Sequence, residues 1–261
     1  MKKYAVVTGA GSGIGKATAK YFASKGLNLI VVDINEDNLV ELKEEINDPV
    51  DIQIRVCDLS KEDQVFDLYQ KTKEYDLEIW MNNAGLGNMC PLLETDIKKA
   101  LVLNRVNVDA TAILTLLFAK DYQDKEATLI NVSSWNGYSI TQGNPVYSAT
   151  KFYTSALSEA LYWELKTNNK PLKVKIICPA FTKTNFIAAS SVVDQSNQDI
   201  DYDKVYGGGN TPEEIAKFIY EMYQSDELIG YVDGTDYSFH KVGPKLPDTH
   251  NKKDLPNLLT R

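Results

Sequence analysis

A chain of 261 residues, 43% hydrophobic and 25% charged, can bury one sizeable core, and no Pro/Gly/Ser-rich linker divides it, so the expectation over 1–261 is one domain rather than two. Lys plus Arg number 28 against 36 Asp plus Glu, a formal charge of −8 that disfavours phosphate backbones and anionic membranes; nucleic acid is not an expected partner. Three scattered cysteines (Cys57, Cys90, Cys178) suit reduced thiols better than a disulfide framework, and the two histidines (His240, His250) lie in the last tenth of the chain, so neither a His-based triad nor a metal centre is expected.

In chain order, Met1-Lys2-Lys3-Tyr4 runs straight into a strand-like segment. No signal peptide and no apolar stretch near the ~18 residues of a membrane span is read, so a cytoplasmic location and no membrane partner are expected. Short Val/Ile-rich runs at 4–7, 29–32, 52–57, 79–82, 127–132 and 174–178 alternate with segments of helical period. This rhythm predicts a doubly wound α/β fold, a parallel sheet of about seven strands with helices on both faces. Between the first two strands Ile14, Ala17, Tyr21 and Phe22 share one helical stripe, with Gly26 as a stop. A long helix over 147–165 repeats Phe152, Ala156 and Ala160 on a face expected to pack on the sheet, with Tyr147 and Lys151 on another. From about 185 to 210 the pattern becomes polar and irregular, as a substrate loop would be, before Thr211-Pro212-Glu213-Glu214 announces a capped helix. The tail over about 235–261 shows no convincing period and is expected to be irregular.

The first strand leads into Thr8-Gly9-Ala10-Gly11-Ser12-Gly13-Ile14-Gly15, where the helix begins. Glycines let backbone approach a pyrophosphate closely, and the free N–H groups and dipole of the helix N-terminus attract its charge. The second strand ends at Asp33, whose carboxylate suits the ribose hydroxyls of NAD and repels the 2′-phosphate of NADP. Ser12 before Gly13, and Ile34-Asn35-Glu36 after Asp33, supply no cation for that phosphate, so NAD is favoured, with NADP the alternative. A plain capping or turn role for Asp33 is the bland alternative.

Chemistry enters at Tyr147-Ser148-Ala149-Thr150-Lys151. A phenol titrates near ~10, so a Tyr acting as acid or base near neutrality needs a neighbouring cation, and four-residue helical spacing puts Lys151 on its face. Tyr21/Lys25, Tyr69/Lys73, Tyr162/Lys166 and Tyr237/Lys241 share the spacing, but only Tyr147 has a serine thirteen residues upstream, Ser134, just past a strand end. Ser134 can hold a substrate oxygen, and Ser133 beside it should point the other way.

Gly9, Gly13 and Gly15 in the spacing G-x-x-x-G-x-G, Asn82-Asn83-Ala84-Gly85, Ser134 and Tyr147/Lys151 together resemble the short-chain dehydrogenase/reductase family, of the single-domain Rossmann type, over roughly residues 4–230. The resemblance implies cofactor contacts at Gly9, Ser12, Gly13, Ile14, Gly15 and Asp33, at Asp58 and Leu59 near the adenine, at Asn83, Ala84 and Gly85 in the floor, and at Tyr147 and Lys151. It also implies Pro179, Thr182 and Thr184 near the nicotinamide carboxamide, although Ala180 replaces the family's glycine there. For Asn82 and Asn83 a mainly structural role is as good a reading as ligand contact. Asn107, with Asn104 as its competitor, matches the helix asparagine that holds a water linking the lysine to solvent. The implied chemistry interconverts a secondary alcohol and a ketone: Tyr147 exchanges the proton, Ser134 holds the oxygen, Lys151 and Asn107 replenish the proton, and the cofactor carries the hydride. Trp135, Tyr138, Phe181 and Phe186 are expected to border the substrate. Family members are often dimers or tetramers, for which Tyr162 and Trp163 are interface or core aromatics.

Overall fold

The computed structural model describes residues 3–186 and 207–246; the expected substrate loop at 187–206 and the tail beyond 246 lie outside them. The strands are β1 (Tyr4–Thr8), β2 (Asn28–Asp33), β3 (Ile52–Val56), β4 (Leu77–Asn82), β5 (Thr128–Val132), β6 (Lys173–Cys178), β7 (Ile229–Val232) and β8 (Phe239–Val242). The helices are α1 (Gly13–Ser24), α2 (Glu36–Glu45), α3 (Glu62–Thr72), α4 (Ile97–Asn104), α5 (Thr111–Tyr122), α6 (Pro145–Thr167) and α7 (Pro212–Tyr223).

One sheet runs in the order β3-β2-β1-β4-β5-β6-β7-β8. The expected doubly wound α/β fold is present. Alternation along each strand sends Val6, Ile30, Trp80 and Ile176 to a core shared with Leu114 and Phe118 of α5. Their neighbours Val7, Leu29, Met81 and Ile177 face a second core with Phe22 of α1 and Ile219 of α7. Burial on both faces explains why these strands read as continuous apolar runs. The chain order reverses between β1 and β4, and ligand crevices form at the carboxyl ends of strands beside such a switch. The expected cap of α7 is present at Thr211, which forms a capping box with Glu214.

Four expectations need correction. Among the described residues the strands number eight, because the tail read as irregular folds back as β8, antiparallel to β7. Its four residues Phe239-His240-Lys241-Val242 form an edge strand with no buried member, so they lack the apolar run that marks the inner strands. Second, the helix over Ile97–Tyr122 is long and apolar enough, by length and composition, to cross a membrane. Leu103, Leu114 and Phe118 within it are core residues of the fold.

Third, the stripe Phe152, Ala156 and Ala160 of α6 faces outward. The inner face carries Ser148, Lys151, Thr154, Ser155, Ser158 and Glu159, all buried. These polar groups find partners inside: Asn131 of β5 donates to Ser158 at 2.9 Å, and Asn131 also accepts from Asn82 of β4 at 2.9 Å. A buried polar face is tolerated only when its groups are so paired. The fourth correction, at Trp135 and Tyr138, belongs to the site.

Candidate active site

The glycine turn is built by contacts that exclude side chains. Gly9 and Gly13 have φ of +67° and +51°, the left-handed region that glycine adopts without strain. A Cβ on Gly15 would stand 2.0 Å from the carbonyl oxygen of Gly9, and one on Gly9 2.8 Å from Cα of Ala84. The β4 motif is stapled to this turn: Thr8 Oγ1 accepts from the backbone N–H of Asn83 (3.0 Å) and of Ala84 (3.1 Å), and Asn83 Nδ2 donates to the carbonyl of Thr8 at 2.9 Å. Asn82 is buried, accepting from the Trp80 indole at 2.8 Å. Of the two readings of Asn82 and Asn83, these bonds favour the structural one.

At the start of α1 the Ser12 side chain makes no capping bond, so it leaves the first-turn N–H groups to other acceptors. Asp33 closes the same corner. Its Oδ2 accepts from the N–H of Gly11 at 2.9 Å, and a Cβ on Gly11 would meet that oxygen at 2.9 Å. Its Oδ1 accepts from Asn35 N–H, but the cap of α2 is Asn35 itself, whose side chain accepts from Asn38 N–H. Asp33 is therefore not the helix cap of the bland reading, but its bond to Asn35 two residues on is the turn role that reading also named, and a carboxylate with two oxygens keeps lone pairs for further donors. Asp58, just past β3, accepts from both the N–H and the hydroxyl of Ser60, and Leu59 packs on the core. Across the crevice a Cβ on Gly13 would meet the methyl of Thr184 at 3.2 Å, which sets the 182–184 segment opposite the turn. Thr182 forms a bridge with Asn210, and Pro179 accepts from the N–H of Trp135 at 2.8 Å. The bared turn, the start of α1 left uncapped by the Ser12 side chain and the adjacent carboxylate suit a dinucleotide diphosphate and its ribose.

At the end of β5, Ser133 turns inward, donating to the carbonyl of Lys151 at 3.0 Å and sharing a 2.8 Å bond with Ser155. Ser134 takes the opposite side, as strand alternation requires; its Oγ accepts from the N–H of Asn136 at 3.2 Å and stands near enough to Tyr147 to favour the ionised phenol. Burial pushes the Tyr147 phenol up to about 12, and the neighbouring Ser134 hydroxyl works against that rise. Lys151 is 5% exposed, and burial lowers its ammonium to about 8. Its Nζ donates to the carbonyl of Val132 at 2.9 Å and lies 5.6 Å from the centre of the Tyr147 ring. The same i,i+4 geometry recurs at Tyr21/Lys25 (4.8 Å), Tyr69/Lys73 (5.4 Å) and Tyr162/Lys166 (5.5 Å), so spacing does not distinguish the pairs. Burial of the lysine does: only Lys151 among these lysines is buried.

Asn107 is buried and Asn104 exposed. Asn107 Oδ1 accepts from Leu86 N–H, and Nδ2 donates to the Leu86 carbonyl, both at 2.8 Å, and to Thr150 Oγ1 at 3.1 Å. Its side chain thus ties the loop after β4 to α6 one residue before Lys151. A Cβ on Gly85 would stand 3.4 Å from Asn107 Oδ1 and 3.5 Å from Lys151 Nζ, so the three meet at one point.

Sequence reading missed how Asn107 gets there. Arg105–Ala110 is a π-helical turn joining α4 to α5, a widened turn that frees backbone groups from the regular ladder and recurs at functional sites. Thr150, partner of Asn107, was also missed, although its place one residue before Lys151 is a usable signal. Phe186 borders Tyr147 as expected, ring centres 5.7 Å apart. Phe181 lies under Gly209, whose Cβ would be 2.6 Å from its ring. Trp135 and Tyr138 depart from expectation. Trp135 donates its indole N–H to Tyr231 Oη at 2.9 Å, and Tyr138 its hydroxyl to Glu159 Oε1 at 2.6 Å, so both polar tips are spent on the C-terminal side of the fold.

The family model described as short chain dehydrogenase matches residues 3–193. Dehydrogenase/reductase SDR family member 11 of Gallus gallus is 30% identical over 194 residues, covering 70% of this chain and 76% of that protein. The 15-hydroxyprostaglandin dehydrogenase [NAD(+)] of Homo sapiens is 28% identical over 246 residues, covering 88% and 89%. Among solved structures, a short chain dehydrogenase/reductase from Burkholderia phymatum in complex with NAD superposes with a TM-score of 0.78 at 25% identity, covering 87% of this chain and 88% of that one.

Proposed function

Because the chain belongs to the short-chain dehydrogenase/reductase family, we propose that it is an NAD(H)-dependent oxidoreductase that interconverts a secondary alcohol and a ketone, with Tyr147 as general acid/base. The observation that carries this reading is the meeting of Ser134, Tyr147, Lys151 and Asn107 beside the bared glycine turn. NAD is supported by Asp33 beside the glycine turn, by the NAD(+) in the name of the human relative and by the NAD bound in the Burkholderia structure.

Gly9, Gly13, Gly15, Asp33 and the 179–184 segment would hold the dinucleotide. When bound, its nicotinamide supplies or accepts the hydride. In the reductive direction the carbonyl oxygen sits against Ser134 and Tyr147, Ser134 donates a hydrogen bond to it, and Tyr147 delivers the proton as negative charge develops there. A phenol held at about 12 would make a reluctant acid, and the positive charge of Lys151 stabilises the phenolate that remains. Lys151, with its own proton held near 8, is poised to restore the phenol near neutral pH. The oxidative direction reverses each transfer.

Initial rates over a panel of secondary alcohols and ketones, read at the NADH absorbance, test the reading. Higher catalytic efficiency with NADPH than NADH would remove the role given to Asp33. Tyr147→Phe is expected to lower kcat by ~10³-fold with NADH binding within about twofold, and retained turnover would remove Tyr147 from its role. We place the chain in a homodimer or homotetramer, supported by the outward apolar residues Leu101, Leu116 and Phe152 on α4, α5 and α6. A monomer in sedimentation at micromolar concentration would refute that assembly. A cytoplasmic location is part of the same reading, supported by three free buried cysteines, and cell fractionation tests it.

A further inference from the structure

Glu159 lies two helical turns beyond Lys151 on the same face of α6 and is 1% exposed. Nothing in the proposed chemistry uses it, yet a carboxylate out of water must have its oxygens satisfied. Its partners come from two places far apart in sequence. Oε1 accepts the Tyr138 hydroxyl at 2.6 Å, and Oε2 accepts the backbone N–H groups of Lys245 and Leu246, both at 2.9 Å. Three donors converge on one buried acceptor, an arrangement stronger than neutral hydrogen bonds.

The two groups so joined are the turn that follows Ser134 and the segment that follows β8. Other contacts bind the same pair. The Trp135 indole donates to Tyr231 of β7 at 2.9 Å. A Cβ on Gly234 would stand 3.1 Å from that indole, so the glycine lets the ring lie on the β7–β8 turn. Lys245 Nζ sits 5.2 Å from the centre of the Tyr138 ring and 4.1 Å from that of Tyr231. On its inner side the Ser134 turn rests directly on α6: a Cβ on Gly137 would stand 2.2 Å from Ser133 Oγ and 3.0 Å from the carbonyl oxygen of Lys151. The turn is clamped between the catalytic helix and the C-terminal segment. Residues 231–246 lie beyond 3–193, the span that the family model matches, so this clamp is supplied from outside it.

We infer that Glu159 is a positioning residue and residues 231–246 are a brace: by fastening the segment after β8 to Tyr138 and α6, Glu159 fixes the Trp135–Tyr138 turn and through it the place of the Ser134 hydroxyl against Tyr147. The inference rests on the role given above to Ser134. It predicts that loosening the brace damages substrate positioning and leaves the glycine-turn half of the crevice intact, since misplacement by about 1 Å costs up to ~10²-fold in rate while cofactor contacts lie elsewhere.

Two substitutions in the full chain reach the brace from opposite ends. Glu159→Ala removes the shared acceptor, and Leu246→Pro deletes one N–H donor without touching α6. Amide hydrogen exchange at 134–138 is expected to quicken by about tenfold in both variants, with exchange across α1 unchanged. With turnover assayed, kcat/KM for the alcohol or ketone is expected to fall about tenfold while NADH affinity stays within twofold. Glu159→Gln, which can still accept from both backbone N–H groups and can donate to Tyr138, is expected to restore most of both readouts. Unchanged exchange at 134–138 in Leu246→Pro overturns the brace, even should Glu159→Ala fail to fold. A fall in activity matched by an equal loss of NADH affinity also overturns it, because a general loosening would do that. The exchange measurement needs no substrate, so failure of the brace is distinguishable from failure of the Tyr147 assignment, which Tyr147→Phe decides.

Discussion

The half of the sheet from β3 to β4 and the half from β5 to β8 hold their site residues by different means. In the first, the contacts end on backbone: Gly15 against the carbonyl of Gly9, Gly9 against Ala84, and one short side chain, Thr8 Oγ1, accepting two N–H groups from the Asn83-Ala84 step. In the second, side chains reach across long stretches of sequence, as Glu159 does to Lys245 and Asn107 to Thr150. A backbone contact restricts which residues can stand there to one or two, so it leaves a spacing in the sequence. A side-chain contact between distant positions leaves two ordinary residues. The first half should therefore fail abruptly when altered and the second by degrees.

The sharpest break of that comparison would be Gly15→Val. No side-chain movement relieves a Cβ 2.0 Å from a backbone oxygen, so the turn itself must shift. Such overpacking is expected to cost about 3 kcal/mol or more, lowering Tm by roughly 6–12 °C and abolishing NADH binding in a fluorescence titration. Tolerance of valine there would mean the turn is less rigid than its contacts imply. Asp33→Asn comes next. Losing a charged acceptor is worth about 1.5–3 kcal/mol, so kcat/KM with NADH should fall about 10–100-fold while the preference against NADPH narrows.

Lys151→Met asks what the second half gives up for its chemistry. Burial lowers this lysine from 10.5 to about 8, so the unfolded chain binds its proton more tightly than the folded one. The charge therefore costs stability below pH 8, and stability should rise with pH between about 8 and 10.5 as the proton leaves both states. The methionine variant, dead in turnover, should lack that rise and should gain ~1 kcal/mol at pH 7, about 2–4 °C in thermal unfolding. A loss of stability at pH 7 would show that the bond from Lys151 to Val132 outweighs the buried charge. The mildest change is Thr150→Val, which removes two neutral hydrogen bonds, one from Asn107 and one to the carbonyl of Tyr147, each worth ~1 kcal/mol. It should lower kcat severalfold and leave NADH affinity alone.

What could be read in advance follows the same division. The α/β order was legible because strands buried on both faces are apolar throughout, and the Gly9, Gly13 and Gly15 spacing because only glycine survives there. Ser134, Tyr147 and Lys151 were legible because strand alternation and helical spacing fix where such side chains point. The inner face of α6 was misread for a physical reason: Ser155, Ser158 and Glu159 look like a solvated surface unless their partners on β5 and beyond β8 are known. β8 was missed because an exposed edge strand need not alternate. Glu159 carried no signal, being one more acidic residue in a helix full of good helix formers.

The π-helical turn at Arg105–Ala110 makes the length of this part of the chain unforgiving. Each helical residue contributes ~1.5 Å and ~100°. Dropping one between 105 and 110 would let the helix relax to regular geometry, yet it would swing either Asn107 or all of α4 a quarter-turn around the axis. Asn107 would then face away from Leu86 and Thr150, although no residue in the crevice had been altered. Substitutions can be absorbed singly along this helix, whereas insertions and deletions would have to arrive in compensating pairs.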